Sequence, residues 1–394
     1  MTPAARVQAA SEIIDQIAGG MAAEKALTNW ARGARYAGSK DRAAVRDHVF
    51  DALRRWRSSA VLGGGESGRL RMLGLLRELG PAPAEVFTGG PHGPAPLTEE
   101  EAAGGAEPEG AAALDLPDWL WERLRESQGE AAAEVALSLR DRAEVFLRIN
   151  ALKVDADAAL EVLAADGISA EPHSGAAGAL RVTQGARKIA RSRAYLDGLV
   201  ELQDASSQAV VEALPLEAGQ WVLDYCAGGG GKTLALAARL GGGPVLAHDA
   251  NPRRMSDLPA RAERAGATVE IVSTPSGPHD LVLCDAPCSG SGAWRRSPEG
   301  KWRLRPGDLE RLAQTQGEIL DTAAGLVAPG GVLAYVTCSV LAQENGQVVD
   351  AFLARHPEFE MEKVREYRPG PDGDGFFLAV LRQAGQGGRD PSQS

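Results

Sequence analysis

Two apolar segments of this sequence each end in a cysteine, and a helical pattern separates them. Residues 281–292 read LVLCDAPCSGSG, which places Cys288 just after a short apolar run. Residues 331–339 place Cys338 after a second such run. Both runs predict buried strands of a parallel sheet, and the helical pattern over 308–327 predicts a right-handed crossover between them. Neighbouring strands lie about 4.8 Å apart, so we expect both cysteines at one edge of the sheet, within reach of one small ligand.

The sequence around these segments alternates between strand and helix patterns from Gly219 onward. The predicted strands cover residues 221–225, 245–249, 267–273, 281–285, 332–337 and 375–381. We expect the last of them to run antiparallel at the edge of the sheet. A glycine-rich loop, 226–233, joins the first strand to a helix. This arrangement predicts an α/β fold with a doubly wound, Rossmann-like sheet, in which ligands bind at the carboxyl ends of the strands.

The glycine loop fits neither of the common phosphate-binding patterns. A P-loop requires glycine where Cys226 stands, and the dinucleotide pattern requires glycine where Thr233 stands. An acid, Asp249, ends the next predicted strand, where its carboxylate can accept hydrogen bonds from both ribose hydroxyls of a nucleoside. A nucleoside that carries an amino acid in place of phosphate, S-adenosylmethionine, therefore fits this loop best.

The rest of the chain predicts two further domains and two irregular segments. Residues 1–80 carry three apolar stripes at helical spacing, whereas 81–114 are rich in Gly, Pro, Ala and Glu. Strand and helix patterns mix over 115–208, which indicates a small α+β domain. The predicted organisation is a helical domain (1–80), a linker (81–114), an α+β domain (115–208), a Rossmann-like domain (209–384) and a disordered tail (385–394).

Composition restricts the class of protein. There are 42 Lys and Arg against 53 Asp and Glu, and this net charge of −11 counts against a general nucleic-acid binder, although 181–193 and 295–305 are locally basic. The sequence has no signal peptide and no long uncharged apolar run, so we expect a cytoplasmic protein without membrane contact.

The four cysteines form no CxxC pair, which predicts free thiols and no metal site. Cys284, inside a strand, is expected to be a buried apolar residue.

Several of these motifs resemble the bacterial Sun/Fmu (RsmB-type) family of rRNA cytosine-C5 methyltransferases, which is related to the eukaryotic nucleolar Nop and Nsun enzymes. The resemblance is dense over residues 116–381, and the paired Pro-Cys and Thr-Cys-Ser motifs, at Cys288 and Cys338, are specific to this family. Residues 1–80 are similar to the NusB-like helical domain of these bacterial enzymes. The matching motifs are Leu147-Arg-Ile-Asn150 with Lys153, residues 201–207, 226–233, 285–292 and 296–298, Lys301-Trp302, Gln316, residues 337–339, Glu344-Asn345 and residues 374–377.

The resemblance implies a class I S-adenosylmethionine-dependent methyltransferase fold and an α+β domain that binds RNA. It implies that Cys338 is the nucleophile and that a set of loop and strand-end residues binds the cofactor. These residues are Cys226, Ala227, Gly228, Gly229, Gly230, Gly231, Lys232, Asp249, Arg254 and Asp285. The chain departs from the family at two places. Gly228-Gly229 replace the usual Ala-Pro, which makes the unfolded loop more flexible, and Ser273-Thr274 stand where the family tends to carry an acid near the adenine.

Cytosine C5 is too weak a nucleophile to take a methyl group from a sulfonium directly, so the base must first be activated. A thiolate that adds to C6 raises the electron density at C5, and we assign this role to Cys338. Asp285 would hydrogen-bond N3 and the exocyclic amine, and Lys232 would position Asp285 or the base. Cys288 would assist the loss of the C5 proton. The alternatives are structural roles for both cysteines and a surface charge for Lys232.

The predicted function is an RNA cytosine-C5 methyltransferase that acts on 16S rRNA as a monomer. The same chemistry on tRNA is one alternative. A catalytically weak rRNA-binding assembly factor is another, favoured by the acidic balance and the altered glycine loop. DNA cytosine methyltransferases fit less well, because they share the Pro-Cys arrangement but lack the Thr-Cys-Ser partner. A base held at the sheet edge must be unstacked, so single-stranded RNA loops are the expected target.

Overall fold

The computed structural model of the chain describes residues 1–385, which form two compact units. Unit 1 comprises Met1–Arg142 together with Trp294–Leu304, and unit 2 comprises Ala143–Ala293 together with the chain from Arg305 onward. Of the predicted tail, residues 386–394 lie outside the described residues, and the domain bounds expected from composition stay a prediction. Within residues 1–385, no helix has both the length and the apolarity that a membrane span requires.

The N-terminal part of unit 1 is helical. Its helices are α1 (Pro3–Ala18), α2 (Ala23–Gly33), α3 (Ser39–Arg54), α4 (Trp56–Gly63), α5 (Gly68–Leu79), α6 (Pro83–Val86), α7 (Glu99–Ala103), α8 (Gly110–Ala113), α9 (Asp118–Gln128) and α10 (Ala132–Ser138). The first helix begins where the Thr2 hydroxyl accepts a hydrogen bond from the Ala5 N–H, which satisfies one of the unpaired donors at a helix start. The apolar stripes meet in one core that includes Ile13, Val49 and Leu73, as their helical spacing predicts.

Residues 81–114, expected to be a linker, pack within unit 1 and contain the short helices α6 to α8. Arg69 of α5 pairs with Glu101, with 2.7 Å between Nε and Oε1, and Arg77 of α5 donates to the Gly104 carbonyl oxygen at 2.7 Å. The Thr98 hydroxyl accepts a hydrogen bond from the Glu101 N–H and so begins α7. Composition did not reveal this order, because side chains of α5 hold much of the segment in place.

Unit 2 begins with a four-stranded antiparallel sheet of order β2-β3-β1-β4. Its elements are β1 (Phe146–Ile149), α11 (Ala156–Ala165), β2 (Ser169–Pro172), β3 (Ala179–Gln184), α12 (Arg193–Leu196), β4 (Val200–Leu202) and α13 (Ala205–Glu212). Strand β1 is buried along its whole length, and Leu147 packs in one core with Leu163 of α11. The mixed strand and helix pattern of this stretch predicted a small α+β domain but not the order of its strands. The edge strand β2 is largely exposed.

The second sheet of unit 2 has seven strands in the order β10-β11-β9-β8-β5-β6-β7. Its strands and the helices of this part of the chain are β5 (Val222–Asp224), α14 (Gly231–Arg239), β6 (Val245–Ala247), α15 (Leu258–Ala265), β7 (Val269–Ile271), β8 (His279–Asp285), α16 (Glu299–Arg303), α17 (Pro306–Ala324), β9 (Val327–Thr337), α18 (Gly346–Arg355), β10 (Phe359–Tyr367) and β11 (Phe376–Gln383). Strands β7, β6, β5, β8 and β9 are mutually parallel. The predicted doubly wound α/β sheet is therefore confirmed.

The edge of this sheet differs from the prediction. Strand β11 is antiparallel to β9, as expected. The other side of β11 pairs with β10, so β10 and not β11 forms the edge of the sheet. Strand β10 has the sequence FEMEKVREY, which is mostly charged and largely exposed. Charged side chains are common on edge strands because they discourage pairing with another chain. A strand with so little apolar pattern gives a weak sequence signal, so the prediction of β11 as the edge was wrong.

Side chains from successive residues of the central strands point to opposite faces of the sheet and fill two separate cores. One core contains Val222, Leu281, Leu283, Ala334 and Val336, and the other contains Leu223, Val282, Cys284, Leu333 and Tyr335. Burial on both faces explains why these strands read as continuous apolar runs rather than as alternating patterns. Such strands leave room for polar groups only at their ends, which is where the site lies.

The segment Trp294–Leu304, which includes α16, belongs to the helical unit 1 although it follows strand β8 in the chain. Three hydrogen bonds fix it there. The Lys301 Nζ donates to the Arg54 carbonyl oxygen at 3.1 Å, the Trp302 indole donates to the Leu53 carbonyl oxygen at 2.7 Å, and Arg54 Nε donates to the Arg295 carbonyl oxygen at 2.8 Å. Lys301 is fully buried, and this burial lowers its pKa to about 7.

We expect replacement of Lys301 by methionine to remove a pH-dependent part of the stability. The unfolded chain holds this proton up to the ordinary pKa of 10.5, whereas the folded chain releases it near pH 7, so the unfolded state binds more protons between these values. Stability of the natural chain should therefore rise with pH across this window. The Lys301→Met variant should be more stable at pH 6, with an advantage that shrinks towards pH 10. Thermal midpoints of the full chain at each pH test this, and parallel curves would contradict it.

Candidate active site

The candidate site of unit 2 lies at the carboxyl ends of four neighbouring parallel strands, β6, β5, β8 and β9. Each of these strands ends in or is followed by residues that the sequence predicted to be functional. Asp249 follows β6, the glycine loop 226–231 follows β5, Asp285 ends β8, and Cys338 directly follows β9. The parallel register aligns these ends, since Asp224 pairs with Leu283 and Asp285 with Val336. The strand order thus collects the predicted residues at one edge of the sheet.

The glycine loop makes a tight turn from β5 into α14. Gly228 and Gly230 have φ angles of 51° and 82°, in the left-handed region that side chains other than glycine rarely adopt. Beneath the loop, the Thr233 hydroxyl donates to the buried Asp224 carboxylate at 2.7 Å, and burial raises the pKa of Asp224 to about 7. This hydrogen bond ties the start of α14 to the end of β5, the two elements that the loop joins.

Asp249 is 3% exposed and connects the second strand end to the glycine loop. Its carboxylate accepts hydrogen bonds from the backbone N–H of Gly228 at 2.9 Å and of Asn251 at 2.8 Å. The Arg254 guanidinium lies 3.1 Å from the same carboxylate. Asp249 and Arg254, both predicted to bind a cofactor, are thus brought together against the loop. Asp249 Oδ2 contacts both the Gly228 N–H and Arg254, whereas Oδ1 contacts the Asn251 N–H and keeps a lone pair for a ligand hydroxyl.

An arginine that the sequence did not reveal supports the unusual Gly228-Gly229 pair. The Arg261 guanidinium donates to the Gly229 carbonyl oxygen and also pairs with the Glu201 carboxylate, at 3.0 Å from Nη2 to Oε2. Glu201 is nearly buried and also accepts a hydrogen bond from Arg264. A fixed guanidinium on one carbonyl group restricts a loop whose two glycines would otherwise leave it flexible. No periodic signal marks such a contact, because its partners lie far apart in sequence.

Lys232 and Asp285 form an ion pair in the centre of the site. The Lys232 Nζ lies 2.8 Å from Asp285 Oδ2 and 4.9 Å from the centre of the Phe376 ring. Burial disfavours the ammonium charge, but the pairing with Asp285 outweighs it, so the pKa of Lys232 is raised. Lys232 is therefore already paired with a carboxylate and is not available to bind a phosphate. Asp285 is the more exposed member of the pair, with 33% of its side chain exposed against 9% for Lys232.

The two predicted thiols are in contact. Cys288 Sγ and Cys338 Sγ lie 3.3 Å apart, and both residues are partly exposed. The hydrogen bond to the Cys338 sulfur raises the pKa of Cys288 well above its ordinary value, and burial raises it further. At this distance one sulfur can donate its S–H to the other. Two thiols this close together can react with neighbouring atoms of one small ligand.

A buried acid joins the loops that carry these thiols. Glu344 accepts hydrogen bonds from Ser289, which follows Cys288, and from Ser339, which follows Cys338. Glu344 belongs to one of the motifs that carry the family resemblance, but its contacts could not be predicted. The sequence feature that could have indicated Glu344 is its position a few residues after Cys338, close to the sheet edge where the other functional residues lie.

The other two cysteines differ from this pair. Cys284 is fully buried inside β8 and packs in the apolar core, as predicted. Cys226 opens the glycine loop, where burial raises the pKa of its thiol. Within residues 1–385, His, Cys, Asp and Glu side chains form no group of three or more that could hold a metal ion.

Comparisons with known protein families point to one family for both parts of unit 2. A family model described as the 16S rRNA methyltransferase RsmB/F matches residues 211–382. A second model, for the RsmF/B-like ferredoxin-like domain, matches residues 116–188. The two models together cover the seven-stranded sheet and much of the four-stranded sheet.

Curated relatives carry the same family name. The chain is 34% identical over 282 residues to the ribosomal RNA small subunit methyltransferase B of Klebsiella pneumoniae, which covers 67% of this chain and 65% of that protein. The protein of the same name from Yersinia pseudotuberculosis is also 34% identical over 282 residues, covering 67% of this chain and 66% of that protein. The chain thus spans slightly less than two-thirds of the length of these relatives.

Solved structures share the fold at lower identity. The crystal structure of PH0851 has a TM-score of 0.74 and 23% identity, and it covers 97% of this chain and 99% of that chain. The crystal structure of NSun6 from Pyrococcus horikoshii with SFG has a TM-score of 0.61 and 18% identity, and it covers 68% of this chain and 98% of that chain. Together with the strand-end residues described above, the two family models and the curated relatives establish that the chain belongs to the RsmB/F methyltransferase family.

Proposed function

We propose that this chain is an S-adenosylmethionine-dependent RNA cytosine-C5 methyltransferase and that its substrate is the RNA of the small ribosomal subunit. The observation that carries the proposal is the pair of thiols 3.3 Å apart at the ends of β8 and β9, beside the ion pair of Lys232 and Asp285. The substrate is proposed from the curated relatives, which are named for small-subunit rRNA. RNA binding by the α+β part, a monomeric state and a cytoplasmic location stay predictions.

The glycine loop and Asp249 suit a nucleoside cofactor without phosphates. The carboxylate of Asp249 would repel a phosphate but can accept hydrogen bonds from ribose hydroxyls, and Lys232 is already paired with Asp285. We assign Asp249 and Arg254 to the nucleoside and the backbone of residues 226–231 to the amino-acid end. When bound, S-adenosylmethionine supplies an electrophilic methyl group. Arg261, through its contact with Gly229, would keep the loop in the shape that binding needs.

Cys338 is the proposed nucleophile. Cys338 would react as the thiolate, and the negative charge on its sulfur would interact favourably with the Lys232 ammonium. Its sulfur would add to C6 of the target cytosine, which forms an S–C6 bond and moves the electron pair of the C5–C6 double bond to C5 and the ring. This addition makes C5 nucleophilic and divides one difficult step into easier ones.

Asp285 and Lys232 would hold the base during this addition. Electron density moves towards N3 when the thiolate adds, so a group that shares a proton with N3 and the exocyclic amine lowers the barrier. Asp285 ends β8, and Cys338 directly follows β9, the strand that pairs with β8. Asp285 is also the more exposed member of its ion pair with Lys232. Lys232 fixes the orientation of this carboxylate at 2.8 Å.

Cys288 would complete the reaction. Once C5 carries the methyl group, its hydrogen must leave as a proton before the S–C6 bond can break and return its electron pair to Cys338. Once the Cys338 sulfur is bonded to C6 it no longer disfavours a charge on Cys288, so Cys288 would lose its proton to water and, as a thiolate, take the proton from C5. The distance of 3.3 Å between the two sulfur atoms supports this role, because an adduct on Cys338 would hold the C5–C6 bond nearby.

We expect Cys338→Ala to reduce methyl transfer at least about 10³-fold without loss of the fold, because no other thiol can form the S–C6 bond. The measurement is transfer of labelled methyl groups from S-adenosylmethionine to separated rRNA and tRNA, given both as free RNA and as ribosomal particles. Cys284→Ala is the matched control, since this cysteine lies in the core and should leave transfer largely intact.

The outcomes of this experiment separate the hypotheses. Label in small-subunit rRNA that maps to 5-methylcytosine and is lost in Cys338→Ala supports the proposal. Label in tRNA alone would move the substrate to that class. A chain that neither transfers label nor shifts its thermal midpoint with S-adenosylmethionine would instead be an assembly factor that kept the fold.

We expect Cys288→Ala to accumulate a covalent complex between protein and RNA, because addition and methylation proceed while release of the C5 proton is slowed. The complex should appear as a slow band on a denaturing gel when RNA and S-adenosylmethionine are both present. The double variant Cys288→Ala, Cys338→Ala should give no such band. Absence of the band with Cys288→Ala alone would refute the assigned role in release.

A further inference from the structure

Glu344 is a fully buried acid that the reaction described above does not use. Its Oε1 accepts hydrogen bonds from the Ser289 N–H at 2.7 Å and from the Gln316 side-chain amide at 3.3 Å. Its Oε2 accepts from the Ser289 hydroxyl at 2.5 Å and from the Ser339 hydroxyl at 2.6 Å. All four donors are neutral. Burying a carboxylate costs free energy, and hydrogen bonds to neutral donors offset only part of that cost, which makes such a group unusual without a function.

The two serines give Glu344 a particular position. Ser289 directly follows Cys288 in the chain and Ser339 directly follows Cys338, so one carboxylate spans the two residues next to the thiols. The loops are also joined by the Gly292 N–H, which donates to the Cys338 carbonyl oxygen at 3.0 Å. Glu344 thus bridges the two loops that carry the sulfur atoms, beside the direct contacts of the Ser291 hydroxyl with the Ser339 hydroxyl at 2.8 Å and with the Val340 N–H at 2.9 Å.

The charge of Glu344 also distinguishes the two thiols. Among the effects that raise the pKa of Cys288, the hydrogen bond to Cys338 is the largest, followed by burial, the charge of Cys338 and the charge of Glu344. A negative charge on Cys338 would interact favourably with the Lys232 ammonium. The two thiols therefore have different charged neighbours, which can make them react differently.

We infer that Glu344 is a positioning residue that sets the contact between the two thiols through Ser289 and Ser339, and that its charge, opposite to that of Lys232, makes Cys338 the more reactive of the two. This inference deepens the proposed function and rests on it for the roles of the two thiols. Glu344 has a bridging effect, which depends on its length, and an electrostatic effect, which depends on its charge.

Two variants separate these effects. Glu344→Gln keeps the length but removes the charge, so we expect the preference for a thiolate at Cys338 to fall. Glu344→Asp keeps the charge but is one methylene shorter and cannot span both serines, so the preference should stay while methyl transfer falls. A residue that only supported the fold would not give these opposite patterns.

The experiment is competitive alkylation of the full chain by iodoacetamide at pH 7, stopped before a second thiol reacts. Mass spectrometry then measures label on Cys338 and Cys288, which lie on different tryptic peptides. In the natural chain we expect Cys338 to react at least about tenfold faster, since iodoacetamide reacts with thiolates and one pKa unit corresponds to a tenfold change in thiolate fraction. Glu344→Gln should lower this ratio roughly tenfold, and Glu344→Asp should leave it within about twofold.

The matched control is Glu310→Gln, which removes an exposed acid of α17 and should leave both the ratio and methyl transfer unchanged. An unchanged ratio in folded Glu344→Gln would overturn the inference. If that variant does not fold, the natural chain still decides, because a ratio near one or in favour of Cys288 would overturn it as well. The labelling needs neither RNA nor S-adenosylmethionine, so absence of methyl transfer by the natural chain would refute the proposed function without bearing on this ratio.

Discussion

The parallel pairing of β8 with β9 is the constraint on which the site depends. Its register aligns Asp285 with Val336, so the polar residues that follow the two strands emerge side by side at one edge of the sheet. Both strands are buried on both faces and cannot slide by one residue without moving their whole apolar sets. The core therefore fixes the two strand ends from which the loops with Cys288 and Cys338 start, and the contacts between these loops then set how the two thiols meet.

Buried charge is the second organising feature of the site. Three carboxylates reach the edge of the sheet, and each is held differently: Asp249 by backbone N–H groups and Arg254, Asp285 by Lys232, and Glu344 by neutral donors. Because a buried charge acts strongly on its neighbours, these partners decide which groups carry protons. The two thiols lie 3.3 Å apart and have different charged neighbours, and this asymmetry can give two cysteines different roles.

The sequence predicted the parts of the fold and site that follow from apolar patterns. Strands buried on both faces read as apolar runs, and a polar residue just after such a run, such as Asp249 or Cys338, must lie at the sheet edge. The structure added contacts that join residues far apart in sequence. Glu344 bridges two loops, Arg261 holds a loop carbonyl, and Lys301 is buried in the helical unit although it lies in a locally basic stretch. None of these has a periodic signal, because each depends on packing between distant segments.

The central claim is that Cys338 forms a bond to C6 of a cytosine in RNA. The most direct test uses substrate RNA that contains 5-fluorocytidine, because a C5 fluorine cannot leave as a proton and the enzyme should remain attached after methylation. Peptide mapping of the trapped complex should place the nucleotide on Cys338. A nucleotide on Cys288, or no trapped complex from a chain that methylates ordinary RNA, would contradict the account.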